Sequence, residues 1–284
     1  MQFKQQIVQC MGSSGLHRMA YAEWGARDNP RVLVCVHGLT RNGRDFDGLA
    51  EAMSAHYRVI CPDVVGRGRS AHLRDPAGYD IRQYVADMVT LIARLNVDSV
   101  HWVGTSMGGL IGMALAAQEG TPIHKLVLND VGPVITAESL QRIGTYVGTD
   151  PDWATFDEAL AFVKLVSAPF GSLTEAQWHH LTETSVMQRA DGRWAFRYDP
   201  RIAEPFRAAF SDQDVDLWPV YEQIKCPTLV IRGAESDLLA RDTWLKMAAC
   251  GPRAGLAEIA GVGHAPMFQS ADQIAVVREF LLSA

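Results

Sequence analysis

A short glycine-rich turn, Gly104–Gly109, constrains the fold of this chain more than any other stretch of its sequence. An apolar run, Val100–Val103, precedes the turn, and a run of small and apolar residues, Leu110–Ala117, follows it. The pattern predicts a buried strand, a sharp turn and a helix, with Ser106 at the apex of the turn. Glycine is needed on both sides of this serine, because a side chain there would collide with the adjacent strand or helix.

The Gly-x-Ser-x-Gly spacing is typical of a nucleophile elbow, in which a strained backbone lifts the serine hydroxyl out of the sheet. We therefore predict that Ser106 is a nucleophile. The first amides of the following helix can stabilise a negatively charged oxygen, so the Met107 N–H is the first predicted oxyanion donor. The second is expected from the loop after an early strand, His37–Thr40, where the Leu39 N–H is the candidate.

A serine hydroxyl needs a base to take its proton and an acid to orient that base. His264 is the predicted base, because it lies in a glycine-flanked loop beyond the last short strand. Two aspartates are candidates for the acid. Asp237, on the loop after the seventh strand, is the predicted acid, and Asp130, at the end of the sixth strand, is the alternative. Both are predicted at carboxyl ends of strands, where ligands gather in open α/β sheets.

Strand and helix patterns alternate along most of the chain, which predicts a mostly parallel sheet with helices on its faces. Buried strands are predicted near Val32–Val36 and Lys125–Asn129, and an amphipathic helix over Ile81–Leu95. The alternation stops between residues 132 and 215, where helical fragments rich in aromatic residues replace it. We predict a core domain of residues 1–131 and 216–284, with residues 132–215 as a helical cap inserted after the sixth strand.

Composition narrows the classes of partner. The 284 residues are 48% hydrophobic and carry a net charge of −6, without a basic block, so nucleic-acid binding is not expected. No apolar run approaches the roughly 18 residues of a membrane span, and the N-terminus lacks a secretory apolar core. The 5 cysteines are scattered without a Cys-x-x-Cys pair. We expect a cytoplasmic protein with no membrane association, no metal site and no cofactor.

Substrate contacts are predicted from the residues near the presumed oxyanion loop. Arg41 is the best-placed guanidinium and could select a carboxylate-bearing substrate through paired hydrogen bonds. His37 is a second candidate contact, although bracing of the loop is the competing interpretation. Aromatic side chains of the predicted cap can either line an apolar pocket or pack the cap onto the core. They are Trp153, Phe156, Phe162, Phe170, Trp178, Trp194, Phe196, Phe206 and Phe210.

The order and spacing of several motifs resemble the α/β-hydrolase superfamily, in particular its small capped bacterial members. The motifs are His37-Gly38, Asp63–Ser70, Gly104–Gly109, Gly233–Asp237 and Gly263-His264. The resemblance implies an α/β-hydrolase fold with an eight-stranded, mostly parallel sheet, and a structural role for the Asp63–Ser70 loop. Ser106 argues against the haloalkane dehalogenase and epoxide hydrolase branches, which use aspartate at that position. C–C hydrolases usually carry Asn and Trp where this chain has Thr105 and Ala265.

These features predict a serine hydrolase that cleaves a small carboxylic ester or lactone through an acyl-enzyme. Its partner would be a small-molecule ester, lactone or related carbonyl compound. One alternative is a C–C bond or amide hydrolase acting on a small carboxylate-bearing catabolic intermediate. Another is a non-catalytic ligand receptor built on the same fold. No pattern in the chain predicts an oligomeric state.

Overall fold

A computed structural model describes residues 3–208 and 212–283. The strands in chain order are β1 (Lys4–Gly12), β2 (Gly15–Trp24), β3 (Val32–Val36), β4 (Arg58–Pro62), β5 (Val100–Thr105), β6 (Ile123–Asn129), β7 (Val134–Ile135), β8 (Val186–Gln188), β9 (Trp194–Phe196), β10 (Val215–Asp216), β11 (Thr228–Gly233) and β12 (Gly255–Ile259). The α-helices are α1 (Asp47–Met53), α2 (Ile81–Leu95), α3 (Met107–Ala116), α4 (Ala137–Tyr146), α5 (Phe156–Val166), α6 (Glu175–Ser185), α7 (Ala203–Ala208), α8 (Trp218–Tyr221), α9 (Arg241–Met247) and α10 (Ala271–Leu282).

Within these described ranges, one sheet contains eight strands in the order β1-β2-β4-β3-β5-β6-β11-β12. The strands from β4 to β12 in this order pair in parallel, whereas β1 and β2 form an antiparallel hairpin at one edge. Central strands such as β3 are buried along their whole length, which explains their unbroken apolar sequence. The predicted α/β-hydrolase fold, with an eight-stranded and mostly parallel sheet, is therefore confirmed.

Helices cover both faces of the sheet: α2 and α3 pack in one apolar core, and α1 and α10 pack in the other. Helix α2 begins at the N-cap Asp80, whose side chain accepts a hydrogen bond from the Gln83 N–H, and ends at Asn96 in the left-handed conformation. Its apolar face packs into the core that also contains Trp102 and Ile111. None of the helices in the described part of the chain has the length and apolar character needed to cross a bilayer.

The segment between β6 and β11 contains α4 to α8 and two short antiparallel strand pairs. The sequence did not predict these two pairs. Strand β7 pairs with β10, so the two ends of this segment lie side by side, and β8 pairs with β9. Its aromatic residues pack against one another: the ring of Trp153 lies 5.3 Å from Phe162 and 5.1 Å from Phe196 between centroids. Phe210 lies outside the described residues. The division at residues 132 and 215 stays a prediction.

Helix α3 approaches the sheet so closely that only glycine fits at the contact. A Cβ atom added at Gly108 would lie 1.9 Å from the Val36 carbonyl oxygen, and one added at Gly104 would lie 2.2 Å from the Gly108 carbonyl oxygen. Both contacts are with backbone atoms, which cannot move aside as a side chain does. The two glycines of the motif are therefore a requirement of packing between β3, β5 and α3.

Gly108→Ala should destabilise the fold, because the new methyl group forces α3 away from β3. We expect a loss of about 2–3 kcal/mol in the free energy of unfolding, measured by urea denaturation. Gly255→Ala is the matched control, since a Cβ there makes only an ordinary contact, 3.6 Å from the nearest Leu229 carbon. Equal stability of the two variants would contradict the proposed packing constraint.

Candidate active site

Ser106 lies in the turn between β5 and α3, with backbone angles of φ 53° and ψ −116°. A non-glycine residue with positive φ is uncommon and costs conformational free energy. Hydrogen bonds hold the turn: the Ser106 N–H donates to the Asn129 carbonyl at 3.0 Å, and the Ser106 carbonyl accepts from the Gly109 N–H at 2.8 Å. The strained turn is thereby fixed, as the motif predicts, with the serine at its apex.

His264 reaches this serine from the loop that follows β12. Its Nε2 atom lies 3.0 Å from the Ser106 Oγ atom, and its Nδ1 atom lies 2.7 Å from an Asp130 carboxylate oxygen. A carboxylate only accepts hydrogen bonds, so Nδ1 carries the proton and Nε2 is left as an acceptor for the serine hydroxyl. In this arrangement His264 can take the hydroxyl proton, and the negative charge of Asp130 can stabilise the imidazolium that results.

Asp130 directly follows β6 and is fully buried. Its carboxylate accepts hydrogen bonds from the Gly233 N–H at 2.9 Å, the Ser236 hydroxyl at 2.7 Å and the His264 ring. A buried carboxylate is costly unless such donors satisfy it. Three donors, from the end of β11, the loop that follows it and the loop after β12, therefore fix the position of the carboxylate and, through it, the orientation of the imidazole.

Asp237, the acid predicted from the sequence, does not contact His264. Its side chain is 56% exposed and forms an ion pair with Arg142 of α4, at 3.0 Å between nitrogen and oxygen. The alternative, Asp130, occupies the position beside the imidazole, and the prediction of Asp237 is wrong in this respect.

Ser236 explains why the neighbouring aspartate is directed elsewhere. Its hydroxyl donates to Asp130 and accepts from the N–H groups of Leu238 and Leu239, at 3.2 and 3.1 Å. This turn fixes Ser236 against the buried carboxylate and directs the Asp237 side chain to the cavity wall, where it pairs with Arg142. No signal in the sequence distinguishes the two aspartates, because the direction of the turn at Ser236 depends on contacts made only in the fold.

Two backbone amides beside Ser106 are available as donors. Within residues 3–208 and 212–283, neither the Leu39 N–H nor the Met107 N–H has a hydrogen-bond acceptor. Leu39 lines the same cavity as Ser106, and Met107 is the first residue of α3. Unsatisfied donors at a helix N-terminus are suited to binding a negatively charged oxygen. Their role as an oxyanion hole stays a prediction.

His37 is buried and does not line the cavity, which contradicts its prediction as a substrate contact. Its Nε2 atom accepts a hydrogen bond from the Val64 N–H at 2.9 Å, so the Nδ1 atom carries the proton and donates to the Gly38 carbonyl at 2.7 Å. Burial lowers the pKa of His37 to about 3, and the ring is neutral at pH 7. The competing interpretation, a brace for the loop that carries Leu39, agrees with these contacts.

Arg67 is a fully buried cation that contacts both residues of the predicted oxyanion hole. Its Nε atom donates to the Leu39 carbonyl at 2.9 Å, and Nη2 lies 3.8 Å from the Met107 sulfur. The Nη1 atom donates to the Val65 carbonyl and the Tyr84 hydroxyl. Among the described residues no carboxylate pairs with this guanidinium. Arg67 lies in the Asp63–Ser70 motif, for which the resemblance implied a structural role, but the sequence did not single out this arginine.

Asn129 is another residue that the sequence did not single out. It is fully buried, and its Nδ2 atom donates to the Thr105 hydroxyl at 2.9 Å and to the Pro266 carbonyl at 2.8 Å. The side chain thus joins the strand before Ser106 to the loop that carries His264. It sets the separation of the two elements on which the serine and the imidazole lie.

The serine and imidazole open into a cavity of about 400 Å³, within the usual range for small-molecule sites. Most of its wall is apolar. The apolar and aromatic wall residues from the segment between β6 and β11 are Ile143, Tyr146, Phe162, Val163, Val166, Pro169, Phe170, Phe196 and Tyr198, and the polar ones are Arg142, Thr149 and Ser167. The predicted cap aromatics therefore serve both expected purposes, because Phe162 and Phe196 also pack against Trp153.

Arg41 lines this cavity as predicted, but a carboxylate already occupies its guanidinium. Its Nε and Nη2 atoms donate to the two Asp45 oxygens at 2.9 and 2.6 Å. The pair is largely buried, with side-chain exposures of 15% and 9%. Such a paired, two-point contact leaves little of the guanidinium free for a substrate.

A possible metal-ligand cluster lies away from this cavity, where the β1–β2 hairpin meets α2. Among the described residues, Cys10, His17 and Asp87 have ligand atoms within 4.8 Å of one another. The His17 Nε2 and Asp87 Oδ2 atoms are 2.9 Å apart, and Gln83 donates to the second Asp87 oxygen at 2.8 Å. These contacts join the hairpin to the helix without requiring an ion.

A family model for the alpha/beta hydrolase fold matches residues 31–271. The chain belongs to this family. This α/β hydrolase is 51% identical over 285 residues to a 3-hydroxybutyrate-oligomer hydrolase of Cupriavidus necator, an alignment that covers 98% of this chain and 97% of the relative.

Solved structures agree with the assignment. An alpha/beta hydrolase from Novosphingobium aromaticivorans has a TM-score of 0.87 and 36% identity, with 98% of both chains covered. The structure of an E-2-(acetamidomethylene)succinate hydrolase has a TM-score of 0.86 at 21% identity, covering 99% of this chain and all of that one. The second likeness concerns the fold alone.

Asp130→Asn should impair the hydrolase far more than Asp237→Asn, because an amide beside Nδ1 disturbs the required tautomer of His264. We expect kcat for p-nitrophenyl butyrate to fall on the order of 10³–10⁴-fold in Asp130→Asn. In Asp237→Asn the fall should stay within about threefold, since an exposed ion pair contributes little. A larger loss in Asp237→Asn would restore the acid predicted from the sequence.

Arg67→Met should lower kcat by about 10- to 100-fold with little change in KM, because it loosens residues that would bind the oxyanion rather than the substrate. Affinity for a boronic acid, which mimics the tetrahedral anion, should fall in parallel. Arg58→Met is the matched control. Arg58 is also buried, but it bonds Glu23 and the Leu95 carbonyl at the opposite edge of the sheet.

Both arginine variants should have a lower melting temperature than the wild-type protein. Only Arg67→Met should lower the affinity for the boronic acid. Equal losses of kcat in the two variants would show that the effect comes from destabilisation alone.

Proposed function

We propose that this α/β hydrolase cleaves carboxylic esters of short hydroxyacids, oligomers of 3-hydroxybutyrate foremost, through an acyl-enzyme on Ser106. The observation that carries the proposal is the chain of hydrogen bonds from Ser106 through His264 to Asp130, which opens into an apolar cavity. The choice of substrate is supported by the 51% identical relative from Cupriavidus necator, whose alignment spans nearly both chains.

In the proposed reaction, the Ser106 oxygen attacks the ester carbonyl while His264 Nε2 takes the hydroxyl proton. The negative charge of Asp130 stabilises the imidazolium without accepting its proton. The Leu39 and Met107 amides donate to the oxygen of the tetrahedral intermediate. As the tetrahedral intermediate collapses, the ester C–O bond breaks and His264 Nε2 returns its proton to the departing alkoxide oxygen, which leaves as the hydroxyl group of the shortened hydroxyacid or oligomer.

The second half of the cycle repeats the same proton transfers with water. His264 takes a proton from water, the hydroxide equivalent attacks the acyl carbonyl, and the proton returns to the Ser106 oxygen as the acid is released. The chain's own residues supply every group in this scheme. The apolar wall around the cavity suits the methyl-bearing backbone of a 3-hydroxybutyrate unit.

Ser106→Ala should abolish hydrolysis of the linear 3-hydroxybutyrate dimer, because it removes the attacking oxygen. We expect kcat to fall on the order of 10⁶-fold. The rate is measured by titration of the released acid or by chromatography of 3-hydroxybutyrate. A fluorophosphonate probe should label the wild-type protein at Ser106 and leave the variant unlabelled.

Three outcomes are distinguishable. Turnover of the dimer that persists in Ser106→Ala would overturn the acyl-enzyme mechanism. Hydrolysis of p-nitrophenyl butyrate without hydrolysis of the dimer would retain the mechanism and reject the substrate. Tight binding of the dimer without turnover of either ester would favour a receptor.

A further inference from the structure

A second arginine lies on the wall of the cavity, and its environment differs from that of Arg41. Arg142, on α4, is 42% exposed and faces a single acidic partner, Asp237, in the ion pair described above. Its guanidinium forms no hydrogen bond to another residue in the described ranges 3–208 and 212–283. Arg41, by contrast, has two of its nitrogens engaged by Asp45. Of these two cavity arginines, Arg142 therefore has more guanidinium N–H groups free to bind a ligand.

The geometry points to Arg142 as the binding site for the carboxylate of an anionic substrate or product. This inference rests on the proposed function, because every linear 3-hydroxybutyrate oligomer carries one free carboxylate, and so does the hydroxyacid released from it. A carboxylate that enters a largely apolar cavity loses water and needs a charged hydrogen-bond partner. A guanidinium matches its two oxygens in geometry as well as charge.

Contacts from the core fix the place of this subsite relative to Ser106. The Ser139 hydroxyl, on the same helix as Arg142, donates to the Asp237 carbonyl at 3.1 Å. Asp237 itself follows β11, next to the turn in which Ser236 holds Asp130. Helix α4 is therefore attached to the loop that supports the imidazole, and Arg142 lies on the cavity wall that this loop shares.

Asp237 limits how strongly the subsite holds an anion. Its carboxylate balances the charge of Arg142, and it repels a second carboxylate that approaches the same guanidinium. Both side chains are partly exposed, so water and salt weaken each contribution. The arrangement binds a product carboxylate loosely enough for release, and the two residues should affect anion binding in opposite directions.

The test measures competitive inhibition of p-nitrophenyl butyrate hydrolysis by the 3-hydroxybutyrate anion and by its uncharged methyl ketone analogue, 4-hydroxy-2-pentanone, which has no ester bond to cleave. Arg142→Gln should raise the inhibition constant of the anion by about fivefold and that of the methyl ketone by less than about twofold. Asp237→Asn should lower the constant of the anion, because it removes the repelling charge. Added salt should raise the inhibition constant of the anion and leave that of the methyl ketone unchanged.

Arg189→Gln is the matched control for the change in net charge. Arg189 also lies between β6 and β11 and pairs with Asp150 and Asp152, but it does not line the cavity. It should change neither inhibition constant. Arg142→Lys keeps the positive charge and loses the paired donors of the guanidinium. Its inhibition constant for the anion should lie between those of the wild-type protein and Arg142→Gln.

The inference is overturned if Arg142→Gln weakens both inhibitors equally, if it weakens neither, or if the anion does not compete in the wild-type protein. Because p-nitrophenyl butyrate reports on the site, the test still applies if the protein does not cleave the dimer. Failure of the proposed substrate and failure of the carboxylate subsite therefore give different results.

Discussion

The buried carboxylate of Asp130 is the point at which three segments of the chain meet. It follows β6, binds the end of β11 through the Gly233 N–H, binds the next loop through Ser236, and binds the loop after β12 through His264. An ionised group in such a place is tolerated only while these donors remain. The distance between His264 and Ser106 therefore depends on the folded carboxyl edge of the whole sheet.

Much of this edge could be predicted from the sequence, because close packing allows few residue types at the positions that form it. Glycines at 104 and 108 have no room for a side chain, and strands such as β3 are buried on both faces, so motif and fold imply each other. His264 could be placed for a similar reason, because its loop leaves the strand at the carboxyl edge. These are constraints between neighbours in the chain, or between whole strands.

The acid could not be predicted in the same way. Asp130 and Asp237 both follow strands that end at the same edge, and β6 and β11 are adjacent, so topology places both near the imidazole. The difference depends on one hydroxyl, that of Ser236, and on the side to which its turn directs the next residue. The roles of His37 and Arg67 could not be predicted for the same reason, because they depend on burial and on hydrogen-bond partners distant in the sequence.

The residues proposed to transfer protons and the residues that shape the cavity come from different parts of the chain, which has a consequence for divergence among related enzymes. The side chains of the proposed proton relay, Ser106, His264 and Asp130, come from loops of the sheet, whereas much of the apolar wall comes from the segment between β6 and β11. Mutations at wall positions such as Ile143 or Phe162 can reshape the space for an acyl chain while the relay keeps its geometry. Selection can thus change the substrate range at one group of positions and conserve the reaction at another. The two groups meet where α4 contacts Asp237.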